Sequence, residues 1–242
     1  MSIAVANLCK TYGEQKAIDG ISFQVSPGRI AGFLGPNGAG KSTTMKILTC
    51  FIPQSSGTAA VCGFDVSTYS MEVRRNIGYL PEHNPLYLEM YVREALGFIG
   101  AIHQLDKRQK RIPEVIELCG LGDEQYKKIG ALSKGYRQRV GLAQAIFSDP
   151  EVLILDEPTS GLDPNQVIGI RKLIRELGKT KTVLLSTHIM QEVEAVCEQV
   201  IIIDKGRIVA DDDLSSLRMM HHNHSLEDIF IELTGPDSAE IN

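Results

Sequence analysis

"RIAGFLGPNGAGKSTTMKILTC", residues 29–50, decides the fold. Ile30 to Leu34 is short and apolar, the pattern of a buried strand. Gly35, Gly40, Lys41 and Ser42 then fall at the spacing G-x-x-x-x-G-K-[ST]. Met45, Leu48 and Phe51 follow at helical intervals, which predicts a helix turning all three inward. A strand, a glycine-rich turn and a helix in that order make a phosphate cradle. Glycines let the backbone curl until successive N–H groups face one point, and the helix adds the positive end of its dipole. Gly35, Pro36, Asn37, Gly38, Ala39, Gly40, Lys41, Ser42 and Thr43 are therefore the expected site for the phosphates of a nucleotide. Within it Lys41 reaches the outer phosphates and Ser42 offers a hydroxyl to Mg²⁺.

The flanking chain extends this into an α/β fold. "SIAVANLCKTYG" alternates apolar and polar residues, as a strand does, and runs to a turn at Gly13. Two more strands flank the turn Ser26-Pro27-Gly28. "GTAAVCGFDV" reads as edge strand and turn, and "RNIGYLPE" as a strand ending at its proline. From Glu82 to about Pro150 the spacing is helical, with glycine or proline at the segment ends. "EVLILDEP" returns to a buried strand, followed by a helix, the strand "TVLLSTH", another helix, and a hairpin around Lys205-Gly206. Strands alternating with helices predict a mainly parallel sheet covered on both faces. The expected organisation is one domain over residues 1–242. Residues 1–81 and 151–215 supply its strand-rich parts, 82–150 an inserted helical part, and 216–242 a tail. In the tail, Ser225 and Asp228 form a capping-box-like pair. Leu226, Ile229, Phe230 and Leu233 share a face, Gly235-Pro236 stops the helix, and "DSAEIN" is expected to fray.

Composition narrows the function. The net charge of −5 gives no general attraction to nucleic acid or anionic lipid, so any anion site is local. No stretch reaches the roughly 18 apolar residues that a membrane span needs. The first residues lack the basic start and long apolar segment of a signal peptide, so a cytosolic location is expected. Cys9, Cys50, Cys62, Cys119 and Cys197 are scattered without a CxxC pair and read as reduced thiols. His221, His222 and His224 lie in a polar linker and read as such, not as metal ligands; "DKRQKR" at 106–111 reads as a solvated helix face.

Two further stretches carry chemistry. Asp156 and Glu157 end an apolar strand, where adjacent carboxylates repel unless something positive separates them. Strand alternation sends them to different sides, so Asp156 is assigned to Mg²⁺ and Glu157 to general base. "LSKGYRQRV", residues 132–140, opens a basic helix and is a second anion-binding start.

The set resembles the ATP-binding cassette (ABC) ATPases. It consists of Gly35 to Thr43, "LSKGY" at 132–136, "LILDEP" at 153–158, "SGLD" at 160–163 and His188 in "STH", and it covers about residues 3–215. "GYLPEHNPLYLEMYVRE" and "SLEDIFIELTG" look closest to the single-domain ATPases of ABC-2-type exporters, with gliding-motility ATP-binding subunits the nearest type. The resemblance implies a P-loop NTPase of the ABC ATPase fold, with a RecA-like core, an antiparallel β subdomain and an inserted α-helical subdomain. It also answers what the second anion site is for: Ser133 and Gly135 would bind the γ-phosphate held by a second subunit in a head-to-tail dimer. Lys134 and Tyr136 depart from the usual LSGGQ. Tyr12 would stack on adenine, and Glu82 would ligate Mg²⁺ where the family usually has Gln. Asp163 would face the dimer partner, and His188 would contact the γ-phosphate. Lys41, Glu157 and His188 are the catalytic set, and Ser42, Glu82 and Asp156 the metal set. The implied function is Mg²⁺-dependent ATP hydrolysis. It would drive transport, export by analogy, through separate transmembrane permease subunits at the cytoplasmic face of the membrane, with a second ATP-binding subunit, a homodimer by expectation. Exposed Tyr87, Leu88 and Met90 would fit a docking groove for the permease, with core packing the competing reading. The alternative is a soluble ABC ATPase acting on ribosome or DNA. Such proteins usually carry two cassettes or a long coiled coil; neither pattern is present, and the acidic balance speaks against nucleic acid.

Overall fold

The computed structural model describes residues 1–235. Two sheets divide the strands. The first is antiparallel, in the order β2 (Gln15–Val25), β1 (Ile3–Tyr12), β4 (Ser56–Val61), β5 (Phe64–Asp65). The second runs β10 (Arg207–Asp213), β9 (Gln199–Asp204), β3 (Ile30–Leu34), β8 (Thr182–Thr187), β7 (Val152–Asp156), β6 (Ile77–Leu80). Its five strands from β9 to β6 are parallel and only β10 is antiparallel.

The period of two along each parallel strand explains the layering. Ala31 and Phe33, Val152 and Ile154, Leu184, and Ile201 and Ile203 face a core shared with the antiparallel sheet and α1 (Lys41–Leu48). Their neighbours Ile30 and Leu34, Leu153 and Leu155, Val183 and Leu185, and Val200 and Ile202 face the opposite core. That second core is closed by α3 (Val92–Ile102), α4 (Arg108–Leu118), α5 (Lys134–Ile146), α6 (Pro164–Gly178) and α7 (Met190–Val196), with α2 (Ser70–Asn76) preceding β6. Helices α3 to α5 form the inserted helical part, between β6 and β7.

Helix α8 (Leu214–Met220) leads to α9 (Leu226–Thr234), whose N-cap Ser225 accepts from the Asp228 amide at 3.1 Å. Leu226 and Ile229 are buried, with Phe230 and Leu233 packed beside them. The expected fraying of "DSAEIN", and Pro236, lie outside the described residues. One expectation needs correction. Met45 and Leu48 are buried, but Phe51 is 73% exposed. Helix α1 ends at Leu48, and Cys50, at φ 57°, turns the chain away before Phe51. Among the described residues no helix is long and apolar enough to cross a membrane. All five cysteines are free thiols.

Candidate functional site

Strand β3 delivers the glycine turn and α1 begins at Lys41. Gly38 and Gly40 take φ of 82° and 111°, which L side chains rarely adopt. A β-carbon at Gly35 would lie 2.4 Å from the Ile203 carbonyl oxygen, so that turn can press against β9 only without a side chain. The turn is pinned from outside: the Gly206 amide in the β9–β10 turn donates to Ala39 O at 3.0 Å. Within it, the Lys41 ammonium donates to Gly35 O at 2.8 Å and Pro36 O at 3.2 Å.

The acidic pair sits against this turn. Asp156, the last residue of β7, is opposite Ser186 of β8 in the sheet register. Its carboxylate accepts from the Ser186 and Ser42 hydroxyls, the latter at 3.1 Å. Glu157 leaves the strand at φ 50°, and its amide donates to Ser186 Oγ at 3.1 Å. Its carboxylate is buried with Lys41 Nζ at 3.5 Å and His188 Nδ1 at 3.0 Å from both oxygens. The positive neighbour that two adjacent acids require is thus Lys41.

Asn37, Gly38, Gly40, Lys41, Ser42, Thr43, Glu82, Glu157 and His188 line one cleft of about 430 Å³, completed by Ala17 and Ser160. Gly35, Pro36 and Ala39 complete the turn without lining the cleft, and Asp156, bonded to Ser42, lines an adjoining one. A hydroxyl and a carboxylate oxygen 3.1 Å apart are a hard-oxygen pair suited to Mg²⁺.

The remaining expected residues do not line that cleft. Tyr12 ends β1 half-exposed, with Lys10 Nζ 5.1 Å from its ring centre. Ser133 caps α5, its hydroxyl accepting from the Tyr136 amide at 3.4 Å. Asp163 caps α6 and accepts from the Gln166 amide at 3.0 Å. These two helix starts lie side by side: a β-carbon at Gly135 would meet the Gln166 side chain at 2.5 Å. The Lys134 side chain lies over Gly161, and Gln138 Nε2 donates to Pro158 O at 2.9 Å.

Several contributors were not singled out from the sequence. Ser186 and Thr187 stand in "STH" beside His188, yet it takes the register of β7 against β8 to set Ser186 opposite Asp156, and helix α7 to bring Glu192 to Thr187. Ala17 reaches the cleft by tertiary placement alone, and Ser160, the first letter of "SGLD", through the turn in which its amide donates to Glu157 O at 3.1 Å. Glu82 also lines a second cleft of about 700 Å³, with Phe51, Tyr79, His83, Tyr87 and Phe98, between the sheet and the helical part. Tyr87 is exposed there; Leu88 is exposed outside its lining, and Met90 packs against the helical core. His221 Nδ1 lies 3.1 Å from Glu232, and the His222 and His224 rings are 6.2 Å apart.

A family model described as "ABC transporter" matches residues 18–160. The chain belongs to that family. It is 37% identical over 235 residues to the Nod factor export ATP-binding protein I of Paraburkholderia xenovorans (strain LB400), covering 96% of this chain and 76% of that one. Among solved structures it is similar to an ATP-binding subunit of an ABC transporter, with TM-score 0.87 and 28% identity over 96% of this chain and 99% of that one. It is similar also to a dimeric bacterial ABC transporter cassette, with TM-score 0.79 and 25% identity over 88% of this chain and 98% of that one. In ABC-family terms, β3, β6–β9 and their helices are the P-loop core, β1, β2, β4 and β5 the antiparallel subdomain, and α3–α5 the helical insertion.

Proposed function

We propose that this chain binds and hydrolyses ATP as the nucleotide-binding subunit of an ABC exporter, closing on a second ATP-binding subunit head to tail. One observation carries the reading. Lys41, Ser42, Glu157 and His188 share one cleft, while Ser133, Gly135 and Asp163 cluster at two helix starts outside it. The cleft grips the phosphates from one side only, and a partner's α5 start is the chemistry that completes it.

Within the cleft the roles divide. Turn amides and Lys41 hold the phosphates, and Glu157 accepts a proton from the attacking water. His188 is held by Glu157 beside the γ-phosphate. Ser42 and Asp156 would hold Mg²⁺, with Glu82 facing the same space; when bound, the ion offsets phosphate charge. Tyr12 offers adenine one ring face, Lys10 standing over the other. The second cleft, with aromatic Phe51, Tyr87 and Phe98, suits a cytoplasmic helix of a transmembrane subunit. On this reading the chain works at the inner face of the membrane.

Ser133→Arg tests this reading. The variant should keep ATP affinity but lose about 100-fold or more in turnover, as expected for removal of a phosphate-facing donor. Wild-type turnover by a Ser133→Arg protein that stays monomeric on sizing would overturn it. Recovery of a polytopic membrane protein with the tagged chain tests the partner.

A further inference from the structure

Behind the cleft lies a buried acid that the roles above do not use. Glu192, in the first turn of α7, is 2% exposed. One of its carboxylate oxygens accepts from the Thr159 hydroxyl, and the other from the Thr187 hydroxyl at 2.6 Å. Both threonines are buried too, at 4% and 0%. Thr187 also receives the Ile189 amide at 3.1 Å, so its hydroxyl oxygen spans His188 from the preceding residue to the following one. Thr159 is two residues past Glu157, in a turn closed by Ser160 N donating to Glu157 O at 3.1 Å and Leu162 N to Thr159 O at 3.2 Å.

We propose that Glu192 is a positioning residue for hydrolysis, a clamp that fixes the Glu157 turn against the His188 turn. The proposal rests on the ATPase reading above. A carboxylate buried this deeply is costly unless both oxygens are partnered, and here both partners are hydroxyls in turns flanking reactive groups. Burial raises the Glu192 carboxyl above its ordinary value, against the Thr187 hydrogen bond and the Arg171 charge, which lower it; the Glu157 charge raises it and the His188 charge lowers it. Neither threonine touches the cleft, so the clamp acts through geometry: it keeps Glu157 and His188 within 3.0 Å of each other. The same turn continues through Pro158 and Gly161, on which Gln138 and Lys134 of α5 rest. Loosening it would disturb the hydrolytic side of the cleft first; the glycine turn, whose Gly35 amide donates to Thr187 O at 3.3 Å, keeps its braces on β9 and the β9–β10 turn.

The experiment compares ATP binding and steady-state turnover for the wild-type chain, Glu192→Ala and Glu192→Gln. Backbone amide exchange over residues 157–163 and 187–189 is measured on the same proteins. Glu192→Ala should lower kcat about 100-fold while ATP affinity stays within about threefold, the signature of lost alignment. Glu192→Gln should return kcat to within about threefold of wild type, because an amide keeps one acceptor and a threonine hydroxyl accepts from its NH₂. Amide exchange should quicken in both segments in the Ala protein only. Wild-type turnover in Glu192→Ala overturns the clamp. So does equal loss in the Gln and Ala proteins, or loss of ATP binding in step with turnover, which marks a folding role. A wild-type chain that turns over no ATP would sink the ATPase reading alone. Amide exchange then decides the clamp, protection lost in Ala and kept in Gln supporting it and any other pattern overturning it.

Discussion

Lys41 and Glu157 meet across 3.5 Å at the floor of the cleft, and each has a second duty. Lys41 also braces the glycine turn through Gly35 O and Pro36 O, and Glu157 also orients His188. Removing the Glu157 charge while keeping its shape should therefore separate binding from chemistry. Glu157→Gln is expected to bind ATP, to release phosphate at least about 100-fold more slowly, and to accumulate as an ATP-bound dimer on size exclusion. At this scale Lys41, Ser42, Asp156 and Glu157 were legible because their spacing is local and their strand context unambiguous. Glu192 and Ser186 were not. Their meaning depends on which residue of β8 faces Asp156 and on α7 folding back over that strand end, and neither is written in neighbouring letters.

The elements pack closely enough that single β-carbons matter. Gly78 in β6 would place one 2.1 Å from the Ala145 carbonyl oxygen of α5. Gly78→Ala should push α5 off the sheet at a cost of about 1–3 kcal/mol, as overpacking does. For a chain of this size that lowers Tm by about 2–4 °C per kcal/mol, readable by thermal unfolding. The periodicities of α6, β7, β8 and the β9–β10 hairpin announced those elements. Helix α2 was given no element, and its last two residues, Arg75 and Asn76, were read into the strand "RNIGYLPE", because "MEVRRN" buries only Val73 and carries no apolar stripe. Phe51 was assigned to the wrong side because helical spacing was extended three residues past the real end at Leu48.

For the whole molecule, the two half-sites predict complementation. Lys41→Ala should disable a subunit's own cleft, and Ser133→Arg the lid it offers its partner. Each protein alone should be inactive. An equal mixture should regain roughly a quarter of the wild-type rate, because half of the pairs formed are mixed and each mixed pair has one intact site of two. No recovery on mixing, with mixed pairs verified by differential tags, would exclude a shared site. The helical insertion was foreseeable from the change of texture after Glu82 and the antiparallel sheet from the family resemblance, but the division of the apolar residues between two cores was not, since it needs the strand order. That division has a consequence for how the protein fails. Each parallel strand sends alternate side chains to opposite layers, so the two layers share those strands, and the antiparallel sheet packs on one of them. Melting the helical side strips one flank of the same strands that hold the other side together. Heat therefore finds no weaker half to peel away first, and the two layers are lost in a single cooperative event.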